Sequence, residues 1–177
     1  MKIRPATTDD SDALGLITVS ASLSAFVGHI PEESLDLGWR PENSAAGWRA
    51  TPRDLSQDQF FLVAEIDRSV VGFVWAGLTD VGGEGQIKGL YVLPTRHGQG
   101  IGRLLAAHAV DRLEQQEAIE SLLVGCIREN PSCGFYRHLG GVEAFRRPNT
   151  VDDFRTEEIF FSWSDLSAFR IGDGTTD

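Results

Sequence analysis

Cysteine is scarce in this chain: Cys126 and Cys133 are the two present among 177 residues. Two thiols cannot make the framework of a disulfide-dense secreted fold, and their spacing is not the Cys-x-x-Cys of a metal knuckle. No metal site is expected, and a reducing cytoplasm is the expected compartment. Positive charge is also short, with 16 Lys and Arg against 26 Asp and Glu, a net charge of −10. That balance excludes non-specific attraction to nucleic acid, whose backbone is a dense row of negative charge. It either serves solubility or draws in cationic amines. Long apolar runs are missing, none approaching the roughly 20 residues of a membrane span. Met1-Lys2-Ile3-Arg4-Pro5 has no apolar signal core, and no internal repeat is visible. No membrane partner is expected.

What is present is the composition of one globular domain, with apolar residues at 41 %. A single domain over residues 1–171 is expected, followed by a small, polar, frayed tail at 172–177. A short strand opens at Ile3. Thr7-Thr8-Asp9-Asp10 resembles a capping box, and Leu14, Ile17, Ala21 and Ala25 follow at helical spacing. Gly28–Gln57 is broken by Pro31, Pro41 and Pro52, and reads as a cover with short helices near Glu32–Leu37 and Ala45–Arg49. Phe60–Ile66 and Ser69–Gly77, rich in Phe, Val and Ile, flank Asp67-Arg68 as a hairpin whose turn type is left open. Asp80–Gly85 reads as a loop and Gln86–Leu93 as a third strand, closed by Pro94. A helix from Gly100 buries Ile101, Leu104, Leu105, Ala109 and Leu113. Ser121–Ile127 is a strand apolar enough to be buried on both faces. Pro131 opens a helix to about Leu139, ended by Gly140-Gly141. Strands at Val142–Phe145 and Glu157–Trp163 complete a mixed sheet covered by helices. If Gln86–Leu93 and Ser121–Ile127 are parallel, the connection between them is a right-handed βαβ unit.

The chemistry concentrates where a strand runs into Leu93-Pro94-Thr95-Arg96-His97-Gly98-Gln99-Gly100-Ile101-Gly102-Arg103. Helix N-termini present unpaired N–H groups and partial positive charge, and glycines let the backbone close on an anion. Together these make a phosphate site, to which Arg96 and Arg103 add full charges. A Walker loop would need Gly-Lys-Ser/Thr, which is missing. A dinucleotide fingerprint would want Gly where Arg103 stands, and would start its domain rather than follow a hairpin.

The turn resembles the pyrophosphate signature Arg/Gln-x-x-Gly-x-Gly/Ala of the GCN5-related N-acetyltransferase (GNAT) superfamily, read here as His97-Gly98-Gln99-Gly100-Ile101-Gly102. His97 stands in place of the usual Arg or Gln. A second stretch, Asn130-Pro131-Ser132-Cys133-Gly134-Phe135-Tyr136-Arg137-His138-Leu139-Gly140, resembles the family's Asn-then-Phe-Tyr-x-x-x-Gly segment in a shorter-spaced form. The resemblance runs from Ile3 to the strand at Glu157–Trp163.

That resemblance implies an α/β (α+β) fold: a mixed, mostly antiparallel sheet with a splayed pair of parallel strands and helices on both faces. It implies acetyl-CoA as acyl donor, held by Leu90, Tyr91 and Val92 along the splayed strand. His97, Gly98, Gln99, Gly100, Ile101, Gly102 and Arg103 would hold its pyrophosphate, with Asn130 at its arm. A bulge in the Gln86–Leu93 strand would open the splay. Tyr136 is the implied general acid for the departing thiolate, while Phe135 reads as a core aromatic. The acceptor would be a primary amine of a small molecule or peptide, and a homodimer would suit the family. Glu84 is the candidate general base, directly or through water, with a solvated loop carboxylate as its alternative. Glu33 and His29 are lesser candidates. A non-catalytic acyl-CoA sensor on the same fold is the alternative function. Cys126 reads as inert, and Cys133 as core or as a thiol near a helix N-terminus.

Overall fold

The structure, a computed structural model, describes residues 1–31, 46, 48, 58–151 and 153–170. Among the described residues, seven strands form one sheet in the order β1-β2-β3-β4-β5-β7-β6. They are β1 (Lys2–Pro5), β2 (Gln59–Ile66), β3 (Ser69–Leu78), β4 (Glu84–Val92), β5 (Ser121–Ile127), β6 (Val142–Val151) and β7 (Phe154–Trp163). The α-helices whose full span lies among the described residues are α1 (Ser11–Phe26), α2 (Ile101–Gln116) and α3 (Ser132–His138). The β4–β5 pair is parallel and every other strand pairing is antiparallel. This is the mixed, mostly antiparallel sheet that the family resemblance implies.

The apolar pattern assigns the two faces. Phe61, Val63 and Phe73 point to one face, where they pack on Leu14 and Ile17 of α1. Leu62, Val74, Ala76 and Ile87 point to the other, where Leu105, Val110 and Leu113 of α2 close the main core. Cys133, Tyr136 and Leu139 join that same core, so α2 and α3 share a face opposite α1. Alternation along each strand fixes this division, because successive side chains point to opposite sides of a sheet.

Local chemistry sets the joints. Thr7 donates its N–H to Asp10 Oδ2 at 2.8 Å, the expected box, which here caps a 3₁₀ turn (Thr8–Asp10) leading into α1. The hairpin turn holds both Asp67 and Arg68 at positive φ, +49° and +65°. Ser69 lies opposite Ile66, so the loop has two residues, and the left-handed pair matches the twist of its strands. β6 and β7 are longer than the sequence suggested, running to Val151 and starting at Phe154. Most of β6 is exposed on both faces, so it carries no apolar alternation to read. The expected helices at Glu32–Leu37 and most of Ala45–Arg49 lie outside the described residues, as do Glu33 and the tail. Ala46 and Trp48 are helical. Among the described residues, no helix is long and apolar enough to cross a membrane.

β4 carries the feature that matters for a site. Trp75 faces Gly89 while its neighbour Ala76 faces Ile87, so Lys88 is an extra residue in the ladder, a β-bulge. The parallel pairing of β4 with β5 runs from Glu84↔Ser121 to Ile87↔Val124 and stops there. Beyond the bulge, Gly89 to Val92 stay paired to β3 but have no partner on β5.

Candidate active site

The strands part at their carboxyl ends, where the chain leaves β4 for the glycine turn. Open α/β sheets bind ligands at such a place. On one side, Leu90, Tyr91 and Val92 pair along β3 only, and β5 leaves their other edge uncovered. On the other, Gly125, Cys126 and Ile127 pair with β7 only, through Phe160, Ile159 and Glu158. Leu90 and Val92 turn their side chains to the main core. Tyr91 turns to the α1 face and stacks on Phe73, with ring centroids 5.0 Å apart.

Pro94–Arg96 forms a 3₁₀ turn, and Gly98 and Gly100 then both take φ +75°. The left-handed region strongly disfavours a Cβ, so the backbone itself demands glycine at these two positions. Gly100 caps α2, and its carbonyl accepts the first helical bond, from Leu104 N–H at 3.0 Å. The N–H groups of Ile101, Gly102 and Arg103 donate to no described residue. They form the positive end of a sixteen-residue helix.

The side chains expected around this turn divide. His97 Nε2 lies 3.0 Å from the carbonyl oxygen of Val92. A carbonyl only accepts, so Nε2 carries the hydrogen, and in a neutral ring Nδ1 is left as an acceptor. His97 therefore staples the turn to the end of β4. Arg103 reaches the carbonyl of Ala168 at 3.5 Å. Asn130 Oδ1 accepts from Ser132 N–H at 2.8 Å and so caps α3, while its NH₂ group bonds no described residue.

Tyr136 stands on α3 beneath β5 and β7. Its ring lies among Phe135, Phe161 and Trp163, with centroids 5.4, 5.9 and 6.4 Å away. The residue is 7 % exposed, and its hydroxyl bonds no described residue. Burial drives the phenol well above its ordinary pKa, and the nearby Cys126, Tyr91 and Cys133 push the same way. Tyr136 thus holds its proton at any working pH, close to the parted strands. Phe135 packs on the main core, as expected of a core aromatic.

Glu84 is not brought to this place. It begins β4, opposite Ser121, and bonds the Thr79 hydroxyl at 3.0 Å. Five residues of strand, roughly 16 Å, separate it from Gly89. His29 follows α1 in an exposed turn. Cys126 and Cys133 are both free and buried. Cys133 Sγ donates to the Ile127 carbonyl at 3.4 Å, and the neighbouring Cys133 thiol together with burial drives the Cys126 thiol up. No group of three metal-ligating side chains occurs among the described residues. A further carboxylate, Glu158, which no motif in the sequence marks, stands against Gly125 where the strands part.

Comparison with known proteins agrees with this geometry. An uncharacterised N-acetyltransferase, YuaI of Bacillus subtilis (strain 168), is 30 % identical over 113 residues, 62 % of this chain. The aligned part spans 65 % of that relative's length. The structure of a ribosomal-protein-alanine N-acetyltransferase from Brucella melitensis superposes with TM-score 0.66 at 24 % identity, covering 92 % of this chain and 99 % of that one. The yncA structure from Salmonella typhimurium, a putative acetyltransferase with its cofactor acetyl-CoA, gives TM-score 0.65 at 22 % identity, covering 92 % of each chain. The model of the Acetyltransferase (GNAT) family matches residues 26–140, more than half of the sequence, and the chain belongs to that family.

Proposed function

We propose that this protein is an N-acetyltransferase that moves the acetyl group of acetyl-CoA to a primary amine of a small molecule or peptide. One observation carries the reading: β4 and β5 part immediately before the glycine turn, leaving a free backbone edge beside unpaired helix N–H groups. An amide-bearing coenzyme arm pairs with such an edge as a peptide strand would. Its pyrophosphate suits the N-terminus of α2, where Gly98, Gln99, Gly100, Ile101, Gly102 and Arg103 offer backbone donors and His97 holds the turn. Asn130 has an amide NH₂ left for the arm. The Salmonella neighbour holds acetyl-CoA on the same fold, which supports this donor.

The chemistry asks for an acid at sulfur. When the amine adds to the thioester carbonyl and the C–S bond breaks, the departing thiolate needs a proton. Tyr136 is the residue we assign, a buried phenol that stays protonated and keeps its hydroxyl free. The net charge of −10 favours cationic acceptors over anionic ones. Two buried, unpaired thiols suit a reducing compartment such as the cytoplasm.

The test is release of free thiol from acetyl-CoA across polyamines, aminoglycosides, amino-acid derivatives and peptides. Amine-dependent release is expected. A chain that binds acetyl-CoA yet releases thiol with none of these classes would be a sensor, and the enzymatic reading would fall.

A further inference from the structure

The face of the opened sheet that points away from α2 and α3 carries a carboxylate with one oxygen held and one left free. Leu122, Val124 and Cys126 of β5 face the helices, so Gly125 and Ile127 face the other way. On β7, Ile159, Phe161 and Trp163 face the helices, and Glu158 and Phe160 share the opposite side with Gly125. Gly125 is the first β5 residue after the last pair with β4, Ile87↔Val124.

Gly125 is not a glycine for the sake of its backbone, because its φ is not left-handed. It is a glycine for space. A Cβ there would overlap Glu158 Oε1 and meet the Phe160 ring at 3.1 Å. The Glu158 carboxylate thus occupies the space that Gly125 leaves open. Arg147 fixes it through one oxygen only, with Nη2 at 2.6 Å and Nε at 2.8 Å, both on Oε2. That guanidinium is itself seated over the Phe160 ring, 4.7 Å from the centroid. Oε1 accepts from no described residue, and the Glu158 side chain is 18 % exposed. Arg147 from β6 is the charged group set against it, and the titratable Cys126 of β5 lies on the opposite face of the sheet.

We propose that Glu158 receives the acceptor's ammonium group on Oε1 and takes its proton. The inference rests on the acetyltransferase reading above. A primary amine is an ammonium ion at neutral pH and has no lone pair to attack with. One N–H proton passes to Oε1, directly or through one water. The freed nitrogen adds to the thioester carbon, the C–S bond breaks, and sulfur takes the Tyr136 proton. The product amide loses its second nitrogen proton. Of the two protons given up, one restores Tyr136 and the other leaves Glu158 for solvent. Gly125 and Arg147 position the carboxylate, the first by leaving room and the second by anchoring Oε2.

The experiment is Glu158→Gln, which keeps the side chain's size, assayed by thiol release from pH 6 to pH 10 with a turned-over amine. Affinity for coenzyme A is measured alongside by calorimetry. At neutral pH, kcat/KM is expected to fall about 100-fold. The gap should close as pH approaches the amine's own pKa, and coenzyme affinity should stay unchanged. Glu158→Asp should restore part of the activity. Gly125→Ala, which displaces the carboxylate without deleting it, should lose turnover at unchanged coenzyme affinity, and it decides the matter if the Gln variant does not fold. Wild-type kcat/KM and pH profile in Glu158→Gln, or full turnover in Gly125→Ala, would overturn the role of Glu158 alone. Wild-type protein that releases no thiol with any amine would overturn the acetyltransferase reading and this role with it.

Discussion

The His97 ring donates from Nε2 to the carbonyl of Val92, tying the glycine turn to the strand before it. The bond holds the turn at the mouth of the parted strands. His97→Ala removes the tie and leaves the glycines intact. A net hydrogen bond of this kind contributes about 1 kcal/mol, so the dissociation constant for coenzyme A should rise about 5-fold. Turnover at saturating acetyl-CoA should hold. Calorimetry with coenzyme A, paired with thiol release, checks both halves.

Two glycines of the turn separate backbone demand from mere absence of a side chain. Gly100 has φ +75°, and alanine there is strained by about 1–2 kcal/mol. Gly102 sits in the first turn of α2, and a Cβ would meet Phe135 Cζ at 3.6 Å, ordinary contact. Alanine at 102 also gains helix propensity. In thermal melts without ligand, Gly100→Ala should lower Tm by several degrees, while Gly102→Ala should match or exceed the parent. Equal Tm loss in the two variants would contradict the assigned turn.

Much of this architecture is legible in residue order because local rules and global packing agree. Phe60–Ile66 and Ser69–Gly77 are dense in Phe, Val and Ile with two residues between them, and the hairpin forms. Ile101, Leu105, Ala109 and Leu113 are buried along α2 as their spacing requires, while Leu104 at the stripe's edge is only half-buried. The glycine turn is legible for the same reason, since a strand end, positive-φ glycines and a helix start occur within ten residues. The long arms of β6 are not legible, because successive residues such as Phe145, Arg146, Arg147 and Pro148 are all exposed and leave no pattern. The bulge at Lys88 depends on how β3 and β4 slide past each other, which a charged residue does not announce. Glu158 reads as one more polar strand residue until β7 sets it across β5 from Gly125, thirty-three positions earlier. Glu84 shows the reverse: it is near the turn in residue count, yet a strand's length away from the gap.

Asp10 makes a prediction about acid. Its buried carboxylate accepts from Arg4 Nη1 at 2.8 Å, Arg4 Nη2 at 2.9 Å and Thr7 N–H at 2.8 Å. The Arg4 guanidinium, foremost, holds it below the usual Asp range. The unfolded chain therefore binds this proton more readily than the folded one, and stability rises with pH. The contribution is fully present above the unfolded value of about 3.9 and is lost as pH falls through the folded value. Asp10→Asn leaves Arg4 with Glu65 as its carboxylate partner among the described residues and should cost about 2–3 kcal/mol at pH 7. Urea midpoints from pH 6 to pH 2.5 should show a shallower acid limb in the variant. Parallel limbs would mean that other carboxylates govern acid unfolding.

Tyr136→Phe tests the chemistry with the fold held nearly constant. Phenylalanine fills the same space among Phe135, Phe161 and Trp163, and the hydroxyl it deletes bonds no described residue. No buried partner is orphaned, so Tm should stay within a degree or two. The coenzyme arm would lie against backbone and helix N–H groups that the change leaves alone, so its affinity should also stay. What is lost is the proton for sulfur, and kcat should fall about 100-fold. The loss should shrink with an acyl donor whose thiol is more acidic, because such a thiolate departs without protonation. Unchanged kcat with acetyl-CoA, or an equal loss for both donors, would remove Tyr136 from the reaction and leave it as a core aromatic.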